Sequence, residues 1–130
     1  MKKIILLLIL HLSIAASSQN NEKRDNSPVY DIAGIDIKPE FPGGLVSLNA
    51  LVNESYLKAG FESEVKGKVN FTFVIEKDGS LTDIKILRNV DLPKTKALIQ
   101  IMENLPKWNP GKQNKQIVRV RYALALMIGK

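Results

Sequence analysis

Cysteine is absent from the 130 residues, and the single histidine, His11, stands close to the N-terminus. The missing thiols exclude a disulfide framework, a thiol nucleophile, Cys-based metal sites and a lipoprotein anchor, which needs a Cys just after the leader. Lack of a second His excludes a His-x-x-x-His metal motif, and no Gly-x-Ser-x-Gly elbow or phosphate-binding glycine loop occurs. Asp78, Ser80 and Asp83 lack the ligand register of a calcium loop. Glu62 and Glu64, two apart on a polar stretch, read as solvated charges rather than a catalytic pair. Together these absences point to a protein that is not an enzyme, with no catalytic residues, no cofactor and no metal. Aromatic residues make up only 6% of the chain, and none interleave with the basic residues in the way that stacks bases, which excludes nucleic acid as a partner.

A long apolar run is missing as well. Ile4 to Ala16 gives about 13 largely apolar residues, against the roughly 20 of a membrane span. Lys2 and Lys3 before the run, and Ala16-Ser17-Ser18 after it, make residues 1–18 a secretory signal peptide cleaved before Gln19. Cleavage removes two of the 19 basic residues and none of the 13 acidic ones, leaving a net charge of +4, a mild excess that reads as a solvated face. Residues 19–40 read as a disordered or extended arm, polar at first and then punctuated by Pro28 and Pro39. Residues 41–130 form one small folded unit.

Within that unit, Ser47 suits an N-cap for a helix over 47–59, with Leu48, Leu51, Val52 and Tyr56 on one side and Gly60 as its stop. Residues 68–76 alternate strictly, with Val69, Phe71, Phe73 and Ile75 facing one way. Asp78-Gly79 then closes a tight hairpin into a strand over 81–87 that places Thr82, Ile84 and Ile86 on one face. Pro93 opens a second helix whose Leu98, Ile101, Met102 and Leu105 repeat at helical spacing. It ends in Leu105-Pro106-Lys107-Trp108-Asn109-Pro110-Gly111, where the prolines stop both helix and ladder, Gly111 can take the positive φ of a reversal, and Trp108, the only Trp, plugs the corner. The last strand, residues 116–127, alternates Val118, Val120, Tyr122, Leu124 and Leu126 with Arg119, Arg121 and Ala123. It outruns the hairpin it must pair with, so part of its edge should be unpaired backbone, available to another chain.

Gly67-Lys68-Val69, Asp78-Gly79, the Pro106–Gly111 corner and Val118-Arg119-Val120-Arg121-Tyr122, in this order, resemble the C-terminal domain of the TonB energy-transducer family over residues 41–128. Phe41-Pro42-Gly43-Gly44 is similar to a lead-in of TonB-like proteins. The resemblance implies an α+β domain, a three-stranded antiparallel sheet packed against two helices. It also implies a periplasmic protein-binding module of a Gram-negative bacterium, which captures a peptide such as the TonB box of an outer-membrane receptor by strand addition, in connection with TonB-dependent transport. Aligned on Gly67, Asn53-Glu54-Ser55-Tyr56-Leu57 falls where the family often has Gln-Pro-x-Tyr-Pro; Tyr56 matches and neither proline is present. The expected peptide-binding residues are therefore Tyr56, Val118, Arg119, Val120, Arg121, Tyr122 and Ala123. Two alternatives stand beside this reading: a homodimeric structural protein paired through its sheet edge, or an anchored energy transducer of the inner membrane if residues 1–18 stay uncleaved. The full anchor and long Pro-rich spacer of TonB are absent from the sequence.

Overall fold

The computed structural model describes residues 25–61, 67–87 and 92–129. The expected leader, the polar lead before Asp25, and Glu62 and Glu64 lie outside the described residues. In chain order the elements are β1 (Val29–Asp31), α1 (Gly44–Lys58), β2 (Gly67–Ile75), β3 (Leu81–Ile86), α2 (Leu92–Glu103), β4 (Gly111–Gln113) and β5 (Gln116–Ile128).

The strict alternation of β2 and β5 produces a long antiparallel ladder, from Gly67 opposite Ile128 to Ile75 opposite Val120. Val69, Phe71, Phe73 and Ile75 meet Leu126 and Ile128 on one face, where Leu48, Val52 and Tyr56 of α1 and Leu98 and Met102 of α2 complete the core. Each such side chain contributes about 1.5–3 kcal/mol by leaving water. The other sheet face carries Arg119, Arg121, Ala123 and Ala125, with Arg119 paired to Glu76 and Arg121 to Asp83.

The sheet is five-stranded and mixed, in the order β1-β5-β2-β3, with β4 also paired to β5. The three expected antiparallel strands are β3, β2 and β5; β1 joins in parallel and β4 in antiparallel fashion. Both additions are too short to show a period in the sequence. The β4–β5 turn is Asn114-Lys115, both with left-handed φ (50° and 65°), a two-residue hairpin made without glycine. Asp36 supports it, its carboxylate accepting the Asn114 N–H at 2.8 Å.

Three local expectations are corrected. Helix α1 begins at Gly44 with Gly43 as N-cap, so Ser47 sits a turn inside; the Pro42-Gly43 reversal starts the helix before the serine is reached. In β3 the inward residues are Leu81, Ile84 and Ile86, while Thr82 is exposed. The cause is a bulge: the register slips between Thr72 and Val74 of β2, and Asp83 takes φ +48°, which resets the alternation by one residue. Gly111 has no positive φ. It is required for space, because a Cβ there would lie 2.7 Å from Val120 Cγ2.

Candidate functional site: the outer edge of the last strand

Strand β5 is flanked by β2 on one side and β1 on the other. Two asparagines of α1 show which backbone groups face away from β2. The Met127 N–H donates to Asn49 Oδ1 at 2.9 Å, Asn53 Nδ2 donates to the Met127 carbonyl at 2.7 Å, and the Gly129 N–H donates to Asn53 Oδ1 at 2.9 Å. Since successive residues of a strand point their backbone groups to opposite sides, Arg119, Arg121, Ala123 and Ala125 also present theirs to this outer edge. Val120, Tyr122, Leu124 and Leu126 bond to β2.

The outer edge is divided into three parts. At Arg119–Arg121 it is covered by β1, with Val29, Tyr30 and Asp31 opposite Arg119, Val120 and Arg121. At Met127–Gly129 it is covered by the α1 asparagines. Between them, at Ala123 and Ala125, no described strand pairs with it.

Residues 25–27 fasten the N-terminal end of β1. Arg119 Nη1 donates to the Ser27 carbonyl at 3.0 Å, while its Nε and Nη2 grip Glu76 at 2.7 and 2.9 Å. This ion pair is largely buried, at 17% and 15% side-chain exposure. The Arg119 hydrogen bond holds the Glu76 carboxyl below its ordinary range, helped by the Thr82 hydroxyl, and Glu76 in turn raises the Arg119 pKa. Lys77 Nζ reaches Asp25 at 3.2 Å and Ser27 Oγ at 2.8 Å. Asp25, bonded mainly by the Ser27 hydroxyl and N–H, has its pKa brought down to about 2. Arg121 pairs with Asp83 at 2.9 Å, lowering the Asp83 pKa.

Beneath the edge lies the Trp108 corner. Trp108, 2% exposed, meets Phe41, Phe73 and Tyr122 at ring-centroid distances of 5.5, 5.6 and 5.4 Å. The Trp108 backbone N–H donates to the Gly79 carbonyl at 2.9 Å, which ties the corner to the β2–β3 hairpin. A cavity of about 390 Å³ is lined by the Phe41–Leu45 reversal together with Trp108, Asn109 and Tyr122.

The expected site residues divide accordingly. Val118 and Val120 turn their side chains into the core, and their backbones pair with Gly111 of β4 and Ile75 of β2, so neither offers anything to the outer edge. The side chains of Arg119 and Arg121 lie on the open face, Tyr122 is half-buried against Trp108, and Ala123 is exposed with an outward backbone. Tyr56 is fully buried, stacked on Phe61 at 5.4 Å, and has no surface to offer a peptide. Its place one turn after Val52 and two after Leu48 on the apolar face of α1 puts it in the core. Among the structural residues, Gly67 starts β2, Asp78 and Gly79 form the hairpin turn, and Pro106 and Pro110 bound the corner, with Gly111 opening β4. Sequence reasoning missed Asn49 and Asn53 as edge caps. Their spacing of four on a helix was visible, but nothing local said which strand end they would meet.

The family described as Gram-negative bacterial TonB protein C-terminal matches residues 55–127. Among solved structures, the NMR solution structure of the Helicobacter pylori TonB C-terminal domain (residues 179–285 of that protein) is similar at 21% identity, over 68% of this chain and 88% of that one, with a TM-score of 0.34. No curated protein sequence matches the chain.

Proposed function

The chain belongs to the family of Gram-negative bacterial TonB C-terminal domains, and from that membership we propose that it is a non-catalytic module that captures an extended peptide by strand addition. The observation that carries this reading is the outer edge of β5 at Ala123 and Ala125, with which no described strand pairs. A peptide laid there gains main-chain hydrogen bonds whatever its sequence, with side-chain pockets left to select it. The opposite boundary of the sheet is a poorer template, because the outer strand β3 is bulged at Asp83 and carries Asp83 and Lys85. The partner is an exposed protein segment, such as the TonB box of an outer-membrane receptor, met in the periplasm after export and removal of residues 1–18.

The test is an NMR titration of the mature protein with a synthetic TonB-box peptide. Shifts centred on the Ala123 and Ala125 amides are expected. Ala123→Pro removes an outward N–H that takes no part in the β2 ladder, so it should weaken capture while the thermal midpoint moves little. Shifts confined to α1 and α2 would refute strand addition.

A further inference from the structure

The unpaired stretch of β5 is too short for what strand addition asks of it. Two outward residues offer two N–H and two carbonyl groups, whereas strands usually run about 5–6 residues. Growth toward the C-terminal end is blocked at Met127 and Gly129 by Asn49 and Asn53. Growth in the other direction meets Tyr30, which the parallel register places between the Arg119 carbonyl and the Arg121 N–H. Only removal of β1 gives a ladder of ordinary length, from Arg119 to Ala125.

We infer that residues 25–31 are a displaceable internal occupant of this edge, and that the captured segment enters in their place, parallel to β5, with an acidic or carbonyl-rich flank at its N-terminal end. This deepens the strand-addition reading and rests on it.

The arm is built to leave. Strand β1 has three residues, all exposed, with Val29 and Tyr30 each 39% open to solvent. Pro28 before it has no N–H to give the ladder. The Lys77–Asp25 pair that fastens it is 42% and 34% exposed, and ion pairs of that kind contribute little. Beyond the strand the attachment changes. Ile35 is buried with Val118 and Val120, Ile37 exchanges backbone hydrogen bonds with Lys112 at 3.0 and 2.9 Å, and Glu40 does the same with Asn109. The joint between the weak and strong parts is the turn at Ala33-Gly34, where Gly34 has φ +81° and open space around it. Residues 25–34, of which only Ile32 packs partly buried against the Ile35, Val118 and Val120 cluster, can therefore swing out while residues 35–40 remain.

What the arm uncovers sets the chemistry of the segment that replaces it. Arg119 stays in place because Glu76 holds it, and it offers the Nη1–H that Ser27 has been accepting. Lys77 offers its ammonium beside it. Both cations lie where the N-terminal flank of a parallel segment passes, so a carboxylate there recovers what Asp25 gives up.

The chain has no cysteine, so Asp31→Cys combined with Arg121→Cys, whose Cα positions are partners across β1 and β5, makes an arm lock that oxidation closes and reduction opens. The probe is a fluorescein-labelled synthetic peptide with the sequence of residues 25–34, read by anisotropy. Because apparent affinity scales with the fraction of open edge, oxidation should weaken binding by about tenfold or more relative to the reduced form, and Tyr30→Pro in the parent chain should tighten it by about as much. Hydrogen exchange gives a ligand-free check: the amide at position 121 should exchange about tenfold faster than the Val120 and Tyr122 amides in the parent and in the reduced double variant, and oxidation of the latter should remove the difference. Equal peptide affinity of locked and unlocked protein overturns the inference even where strand addition itself stands. Fast, lock-sensitive exchange at position 121 upholds arm release even where no receptor peptide binds.

Discussion

Gly79 and Trp108 together fix the centre of the fold. A Cβ on Gly79 would lie 2.1 Å from the Trp108 carbonyl oxygen, and Gly79 has φ +86°. Gly79→Ala therefore has to move backbone as well as adopt a strained conformation, and should destabilise by well over the roughly 1 kcal/mol of a left-handed alanine. Trp108→Ala, which empties the aromatic cluster, should cost about 3–5 kcal/mol in urea unfolding; a parent-like midpoint would show that the corner carries no load. Glu76 adds a pH dependence. Its folded pKa is depressed, so its stabilising effect is complete above its unfolded pKa and is lost as the pH falls through the lower folded value. Glu76→Gln should lower stability at neutral pH by about 1–2 kcal/mol, between the exposed and buried limits for ion pairs, and should flatten the acid limb of the stability profile. At this scale the sequence was informative where one residue type had one use. The single Trp between prolines announced a buried corner, but Gly111 was misread because a glycine needed for close approach to Val120 looks the same as one needed for a turn.

The elements that alternate over many residues, β2 and β5, were readable, since period two with large apolar residues admits one buried face. Short or bulged elements were not. Strands β1 and β4 are too brief to show a period, and the left-handed Asp83 shifts the face of β3 in a way that no count of apolar positions reveals. The edge caps belong here too, because they join α1 to the end of β5. Asn49→Ala should free the Met127 N–H, and Asn53→Ala the Met127 carbonyl and the Gly129 N–H. Each loss should cost about 1 kcal/mol or somewhat more. The useful measurement is amide exchange at Met127 and Gly129: acceleration there, with the β2-facing Leu126 amide unchanged, identifies the asparagines as the stop at the end of the docking edge. Exchange that rises equally at all three would mean that they only hold α1 on the sheet.

For the whole molecule, the resemblance found in the sequence and the match over residues 55–127 agree on the family, because the Gly67, Asp78-Gly79, Trp108 and Val118–Tyr122 signals all fall inside that span. The use of the arm was not legible. Residues 25–31 have the composition of a linker, and only the register opposite Arg119–Arg121 shows that they hold a place in the sheet. That position makes the fate of residues 1–18 consequential. If they are removed before Gln19, the arm ends a few residues before Asp25 and is free to leave the edge and return to it. If they remain in a membrane, the same arm becomes the tether, and tension on it would strip β1 from β5. The short apolar run, at 1.5 Å per residue about 20 Å long against a hydrocarbon core of roughly 30 Å, favours removal. Mass spectrometry of the protein from the exporting cell should give a mature chain beginning at Gln19, found in the periplasmic fraction. Intact protein beginning at Met1 in the inner-membrane fraction would instead make β1 a force-sensitive latch on an anchored transducer.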